Sequence, residues 1–447
     1  MTLLIKIVQL LLSLSILVFI HELGHFFFAK LFKTRVEKFY LFFNPGFSLF
    51  KFKKGETEYG MGWLPLGGYV KISGMIDESM DTEQMNREPQ AWEFRSKPAW
   101  QRLLIMAGGV MMNVILAFVI YIMLLFTWGE NYLPMENIPN GITCDQLFID
   151  MGMQNGDVIV ALDHQKVDDF FKIVPNIMLN DPKTIEVRRN GEVVSLPVPE
   201  HLKAALLKEA SSKSGQKKMF ITPRILMDSM YIAGFADYSA AYDAGMRKND
   251  RILSLNDWHP EFYDQFTTTL ESLEDHNITT QVLRGGDTLA FQFKLGPDGK
   301  FGIMFASTEQ LEYATHEYTF AESFPAGIRK GASSLTSYLK QFKLLFTPES
   351  EAYKSVGGVI SMGNIFPGVW NWQVFWELTA LISIMLAVVN ILPIPALDGG
   401  HILFLLYEVV TRRKPSVKFM EYAQVFGMLF ILGLFLLTTI NDVSRFF

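Results

Sequence analysis

The segment FIHELGHFFFAK, from Phe19 to Lys30, sets two histidines and a glutamate inside an otherwise apolar run. Residues four apart share one face of a helix, so His21 and His25 can aim imidazole nitrogens at a single metal ion. Glu22 sits about 100° around the helix from His21, placed to touch a water on that metal rather than the metal itself. Zinc suits imidazole ligands and brings the pKa of its water towards about 7. A neighbouring carboxylate can then take the proton and pass it to a leaving amine. HExxH on a helix is the usual form of this chemistry in peptide-bond hydrolysis. An accidental HExxH is common in soluble helices. Within an apolar span, however, each ionisable group costs about 2.5–3.5 kcal/mol, and an accident would have to be retained against that cost.

Two histidines leave zinc short of a protein ligand. In the extended motif HExxHxxGxxH a third histidine follows, but Phe28 and Leu31 occupy the Gly and His positions here, and no downstream helical glutamate is evident. The third donor is therefore expected from another apolar span. The stretch NILPIPALDGGHILF (Asn390–Phe404) holds a single carboxylate, Asp398. Pro393 and Pro395 exclude an ordinary helix there, and Gly399-Gly400 permit irregular backbone. Such backbone at membrane depth is tolerated only when buried in protein or facing a water-filled cavity. His401 competes as a donor and ranks below Asp398; it could equally support a ligand or close a helix end.

These candidates need elements that carry them to membrane depth. The chain has 447 residues, 49% hydrophobic and 19% charged, too apolar for an ordinary soluble enzyme and too charged for a pure membrane bundle. A net charge of −6 argues against nucleic acid as a partner. The single cysteine, Cys144, rules out an intramolecular disulfide and cysteine-based zinc ribbons. Four stretches are long and apolar enough to cross a bilayer: roughly Leu3–Ala29, Leu103–Trp128, Leu378–Leu397 and Tyr422–Ile440. A cleaved signal peptide is the alternative for the first, but its apolar run is long and shows no small-x-small cleavage site. Lys30, Lys33, Arg35, Lys38, Lys51, Lys53 and Lys54 follow the first span, and Arg412, Arg413, Lys414 and Lys418 separate the third from the fourth. The positive-inside rule makes both loops cytoplasmic, so the region between spans two and three and both termini lie on the far side. Trp370, Trp372 and Trp376 stand where an interfacial aromatic belt belongs.

Residues from about 130 to 310 read as soluble and strand-rich, with an internal repeat. MGMQNGDVIVALD (Met151–Asp163) aligns with AGMRKNDRILSLN (Ala244–Asn256), a Gly-Met turn leading to an Asp and then to a strand. This is the look of two tandem PDZ-like modules, joined by the polar stretch Lys208–Lys218; a generic β-domain is the alternative. Asn249 replaces glycine in the second copy, at a turn that Asn tolerates. Further on, Phe324, Ile328, Leu335, Leu339, Phe342 and Leu345-Phe346 keep helical spacing. They suit a helix lying on the membrane surface or, equally, one packed on the soluble region. Near the first span, EYGMGWLPLGGYVKISGM (Glu58–Met75) has Gly60, Gly62, Gly67 and Gly68 for turns and Tyr69-Val70-Lys71-Ile72 as a strand. A transmembrane helix must be unwound before it is cut, and an exposed strand edge would hydrogen-bond the extended substrate. An ordinary cytoplasmic hairpin is the alternative reading.

HExxH in the first span, AGGVMMN (Ala107–Asn113) in the second, NILPIPALDGG in the third and PDZ-like modules between them resemble the site-2 protease family of intramembrane zinc metalloproteases, in particular its sigma-E stress-response branch. The resemblance covers nearly the full chain. It implies a multi-pass α-helical membrane protein of four transmembrane helices, with an inserted pair of PDZ-like α/β domains and a membrane-dipping β-loop. The expected divisions are span 1 over 1–30, the β-loop region over 31–100, span 2 over 101–128, PDZ-like domains over 131–215 and 216–305, the amphipathic region over 306–370, span 3 with its LDG segment over 372–408 and span 4 over 420–441. It further implies zinc on His21, His25 and Asp398, Glu22 as base, and Asn390 touching the substrate or the developing oxyanion. Tyr69, Val70 and Lys71 would hold substrate. The family often has Gly-Pro where this chain has Gly108-Gly109, which leaves Asn113 either a role at the site or one in packing. The implied activity is cleavage of single-pass membrane proteins, such as anti-sigma factors or remnant signal peptides, in regulated intramembrane proteolysis at a bacterial inner membrane. The insert and both termini would then be periplasmic. The rival is a catalytically silent PDZ-bearing scaffold, and intact HExxH with Asp398 speaks against it. A zinc transporter fits one metal site and two large modules poorly.

Overall fold

A computed structural model of the chain describes residues 2–65, 67–75, 88–210, 219–236, 239–273, 276–295, 301–308, 311–344 and 357–446. Four helices among these are long and apolar enough to cross a membrane: span 1 (Thr2–Leu31), span 2 (Ala99–Trp128), span 3 (Trp372–Asn390) and span 4 (Lys418–Val443). The chain divides into two compact units, residues 1–130 with 317–447, and residues 131–316.

In the first unit, span 2 lies against span 1, span 3, the helix Asp398–Thr411 and the helix Phe320–Leu344. Spans 1 and 2 meet backbone to backbone. A Cβ on Gly24 would strike the carbonyl of Gly108, and one on Gly108 would come within 2.6 Å of the Gly24 carbonyl oxygen. Small residues at a helix crossing allow this approach, where van der Waals packing replaces the hydrophobic drive that lipid removes. Span 3 has 19 residues, about 28 Å of helix, close to the thickness of a hydrocarbon core. It stops at Asn390, short of the expected Leu397. The irregular stretch 391–397 follows, and a new helix starts at Asp398. Proline supplies no N–H and pushes the residue before it out of the helical region, so Pro393 and Pro395 enforce the break. The left-handed residue in the bend is Ala396, at φ 79°; Gly399 and Gly400 lie within the new helix.

The segment after span 1 forms a sheet of four strands: β1 (Val36–Leu41), β2 (Phe50–Lys54), β3 (Thr57–Met61) and β4 (Tyr69–Ile72), in the order β2-β3-β1-β4. β1 runs parallel to β3 and antiparallel to β4. Val36, Phe39, Val70 and Ile72 are buried in a core with Ala29, Ile105, Met106 and Leu405, so the sheet is fixed onto spans 1 and 2. Gly60, expected at a turn, lies inside β3 opposite Tyr40, whose ring fills the place of its missing side chain. Leu66 of this segment is outside the described residues.

The helix Phe320–Leu344 turns Ser323, Ala326, Gly327 and Gly331 inward, the two glycines packing on Ile122 and Phe118 of span 2. Phe320, Phe324, Ile328 and Leu339 remain exposed, while Leu335 joins the core between spans 2 and 3. Its small-residue face is thus the packed one and most of its apolar stripe faces outward. Leu345 and Phe346 lie outside the described residues.

The second unit has two lobes, each with its own core. One gathers Ile142, Phe148, Ile159, Ile173, Ile185 and Val187; the other gathers Ile232, Met246, Ile252, Phe266, Ile278 and Val282. The sequence repeat is a repeat of geometry. Arg189 grips Asp157 through Nε at 2.8 Å and Nη2 at 2.7 Å, and also donates to the Gly152 carbonyl. Arg284 grips Asp250 at 2.7 and 2.6 Å and donates to the Gly245 carbonyl. Gly152 and Gly245 have φ 103° and 105°, and Asn249 takes the left-handed conformation of Gly156. Asp163 and Asn256, closing the two aligned segments, each accept a strand N–H, from Thr184 and Thr279. Between the lobes, Asp264 accepts from Arg224 of the connecting chain and from Asn155. Of the expected connection, Lys208–Ala210 end the helix Leu202–Ala210 and residues 211–218 lie outside the described residues.

Candidate metal and catalytic centre

Span 1 is helical through its HExxH segment, and this puts the His21 and His25 rings edge to face with centroids 4.9 Å apart. Their Nε2 atoms are 3.2 Å apart. The break after span 3 brings in Asp398, whose Oδ2 lies 3.2 Å from His21 Nε2 and 3.4 Å from His25 Nε2. Among the described residues these three side chains form the one group of His, Cys, Asp and Glu able to share an ion.

The donor set fits zinc on geometry as well as chemistry. Nitrogen and oxygen ligands about 2.0–2.1 Å from a tetrahedral zinc stand about 3.3 Å from one another. The three separations here are 3.2, 3.2 and 3.4 Å. Asp398 Oδ2 is buried and has no hydrogen-bond partner among the described residues, with only the two Nε2 atoms facing it at 3.2 and 3.4 Å. His25 Nδ1 is 2.8 Å from the Ile105 carbonyl oxygen, an acceptor, so that nitrogen carries the ring proton and Nε2 keeps its lone pair.

Glu22 lies beside this group, within electrostatic reach of His25, His21 and Asp398. Its Cγ borders Gly68, the residue that leads into β4. β4 is an end strand of its sheet, with Val70 buried and Tyr69 and Lys71 on the other face. Tyr69 stacks between Tyr40 and Phe43, and Lys71 pairs with Glu37 at 3.7 Å. Asn390 is the half-buried last residue of span 3. His401, the weaker donor candidate, sits in the first turn of the helix Asp398–Thr411 and is not in the converging group. Arg102 of span 2 holds that helix through Glu408 at 2.5 Å. The Ile105 carbonyl was invisible in sequence, because any residue supplies one. Asn113, which closes the AGGVMMN stretch and was left open between a role at the site and one in packing, has its amide nitrogen 3.4 Å from His21 Nδ1.

A family model described as "Peptidase family M50" matches residues 9–434. The chain belongs to peptidase family M50. Relatives cover it end to end. One from Thermotoga maritima, named "Putative zinc metalloprotease", is 24% identical over 98% of this chain and 99% of its own. Another, from Campylobacter jejuni and named as a zinc metalloprotease in the same terms, is 28% identical over 99% and 94%. "Metalloprotease MmpA" of Caulobacter vibrioides is 25% identical over 99% and 96%. This M50 protein is a membrane-embedded, zinc-dependent metalloprotease of the site-2 type.

Proposed function

We propose that the M50 activity resides at His21, His25 and Asp398 as zinc ligands with Glu22 as general base, and that its substrates are transmembrane segments of single-pass proteins. The observation that carries this reading is the convergence of three donor atoms at the spacing of a tetrahedral site. Zinc, when bound, supplies a Lewis acid that polarises the scissile carbonyl and acidifies the attacking water. Glu22 takes the proton from that water and returns it to the leaving nitrogen. Tyr69, Val70 and Lys71 hold the unwound substrate as an added strand along β4, which starts beside Glu22. Asn390 donates to the substrate carbonyl as negative charge grows on its oxygen. The strand β2, with exposed Phe50 and Phe52 alternating with Lys51 and Lys53, suits a β-loop dipping into the lipid interface.

The lobes of residues 131–316 are read as PDZ-like domains, each built on the same Asp–Arg clamp. With the basic loops cytoplasmic, this unit and both termini are periplasmic at a bacterial inner membrane, and substrates such as anti-sigma factors or remnant signal peptides arrive already trimmed. The test is Glu22→Gln, because glutamine can hydrogen-bond water but cannot accept its proton. The variant should keep zinc and fold, and membrane peptides cut by the wild type should accumulate in its cells, read by mass spectrometry. Wild-type turnover by this variant would remove Glu22 from the mechanism.

A further inference from the structure

The two histidines of span 1 are both supported from span 2, and the supports differ in kind. His25 Nδ1 gives its proton to the Ile105 carbonyl. Two helical turns further along span 2, the Asn113 amide meets His21 Nδ1 at 3.4 Å. Asn113 is 1% exposed. Its backbone carbonyl accepts from the Ser383 hydroxyl of span 3 at 2.8 Å, so this turn of span 2 is pinned from a third helix.

We propose that Asn113 is the positioning residue of His21: its side-chain carbonyl accepts the Nδ1–H and thereby directs the Nε2 lone pair at the metal. This rests on the metal reading given above. An imidazole that ligates through Nε2 must carry its proton on Nδ1, and of the two ends of an amide only the oxygen can receive it. The two ends have nearly the same shape, so turning the amide leaves packing unchanged. Asn113 Oδ1 is buried and has no hydrogen-bond partner, so the turn breaks no other bond. The outcome for His21 then matches the arrangement already present at His25. A buried acceptor behind a ligating histidine fixes its tautomer and ring angle and raises its basicity, and losing such an acceptor typically weakens metal binding about 10–100-fold.

The experiment measures zinc affinity of the detergent-purified full chain by competition with a chelator. The absorption spectrum of the cobalt-substituted protein and the thermal unfolding of the metal-free protein are recorded alongside. Asn113→Ala should weaken zinc about 10–100-fold and alter the cobalt spectrum, with metal-free unfolding near that of the wild type. Asn113→Asp, which accepts but cannot donate, should hold zinc far better than Asn113→Ala. Zinc affinity and cobalt spectrum unchanged in Asn113→Ala would overturn the proposal. So would a stably folded Asn113→Asp as weak as Asn113→Ala, since the amide N–H would then be the operative group. A wild type that binds no more zinc than His21→Ala would instead overturn the metal reading beneath it.

Discussion

Replacing Asp398 by alanine removes the one carboxylate from three converging donors. A two-histidine site is incomplete, so Asp398→Ala should lose most of its zinc in metal analysis, whereas His401→Ala should stay near stoichiometric. The reverse order would reassign the ligand and leave the bend at 391–397 without a metal role. A second residue-scale outcome concerns Cys144. Burial, with Asp157 nearby, pushes its thiol up to about 12. Only the thiolate reacts, so maleimide should leave the folded chain unlabelled at neutral pH and label it fully in denaturant. Fast labelling of the native protein would show that the first lobe opens readily. At this scale the sequence was most informative where chemistry restricts residue type. His21, Glu22, His25 and Asp398 stand out because apolar spans otherwise exclude them. The Ile105 carbonyl does not stand out, since every residue offers the same atom.

Among the elements, the crossing of spans 1 and 2 holds the histidines against their supports. Gly108→Val would force two backbones apart at that crossing. Overpacking of this kind costs about 1–3 kcal/mol, and here it should also lower zinc occupancy. Gly433→Ala meets nothing within 4 Å and should leave both readings unchanged. If thermal unfolding and metal analysis do not separate the two variants, the close approach is not what organises the site. The break in span 3 was legible from Pro393 and Pro395, because proline forbids what it forbids in any context. The parallel pairing of β1 with β3 was not, since it is decided by contacts between distant residues and leaves no local pattern. The helix Phe320–Leu344 was legible as a helix, but not which face would pack: its glycines carry no hydrophobic signal, yet Gly327 and Gly331 are the residues that seat it on Ile122 and Phe118 of span 2.

For the molecule as a whole, the duplicated lobes should depend on their clamps to the same degree. Asp157→Ala and Asp250→Ala each strand an arginine. Because Arg189 and Arg284 are partly exposed, with side-chain accessibilities of 21% and 36%, the cost should be about 2–3 kcal/mol rather than that of a fully buried pair. Hydrogen exchange should show each loss confined to its own lobe; loss in both would mean that the lobes unfold together. We further propose that the unit acts as a size filter, a role that needs no peptide affinity. Deleting Asn131–His316 and inserting a flexible linker should let the enzyme cut an untrimmed substrate, and a deleted enzyme that holds zinc but cuts only trimmed substrate would favour recruitment instead. The linker can be short, because the two ends of the unit lie side by side: Thr315 donates to Asn131 at 2.6 Å, and the strands Glu130–Tyr132 and Ala314–His316 pair. In evolutionary terms the same feature makes residues 131–316 a cassette. One recombination event could install, exchange or delete it without rerouting the chain around it, so the inserted unit of such a protein can change hands while the membrane unit stays intact.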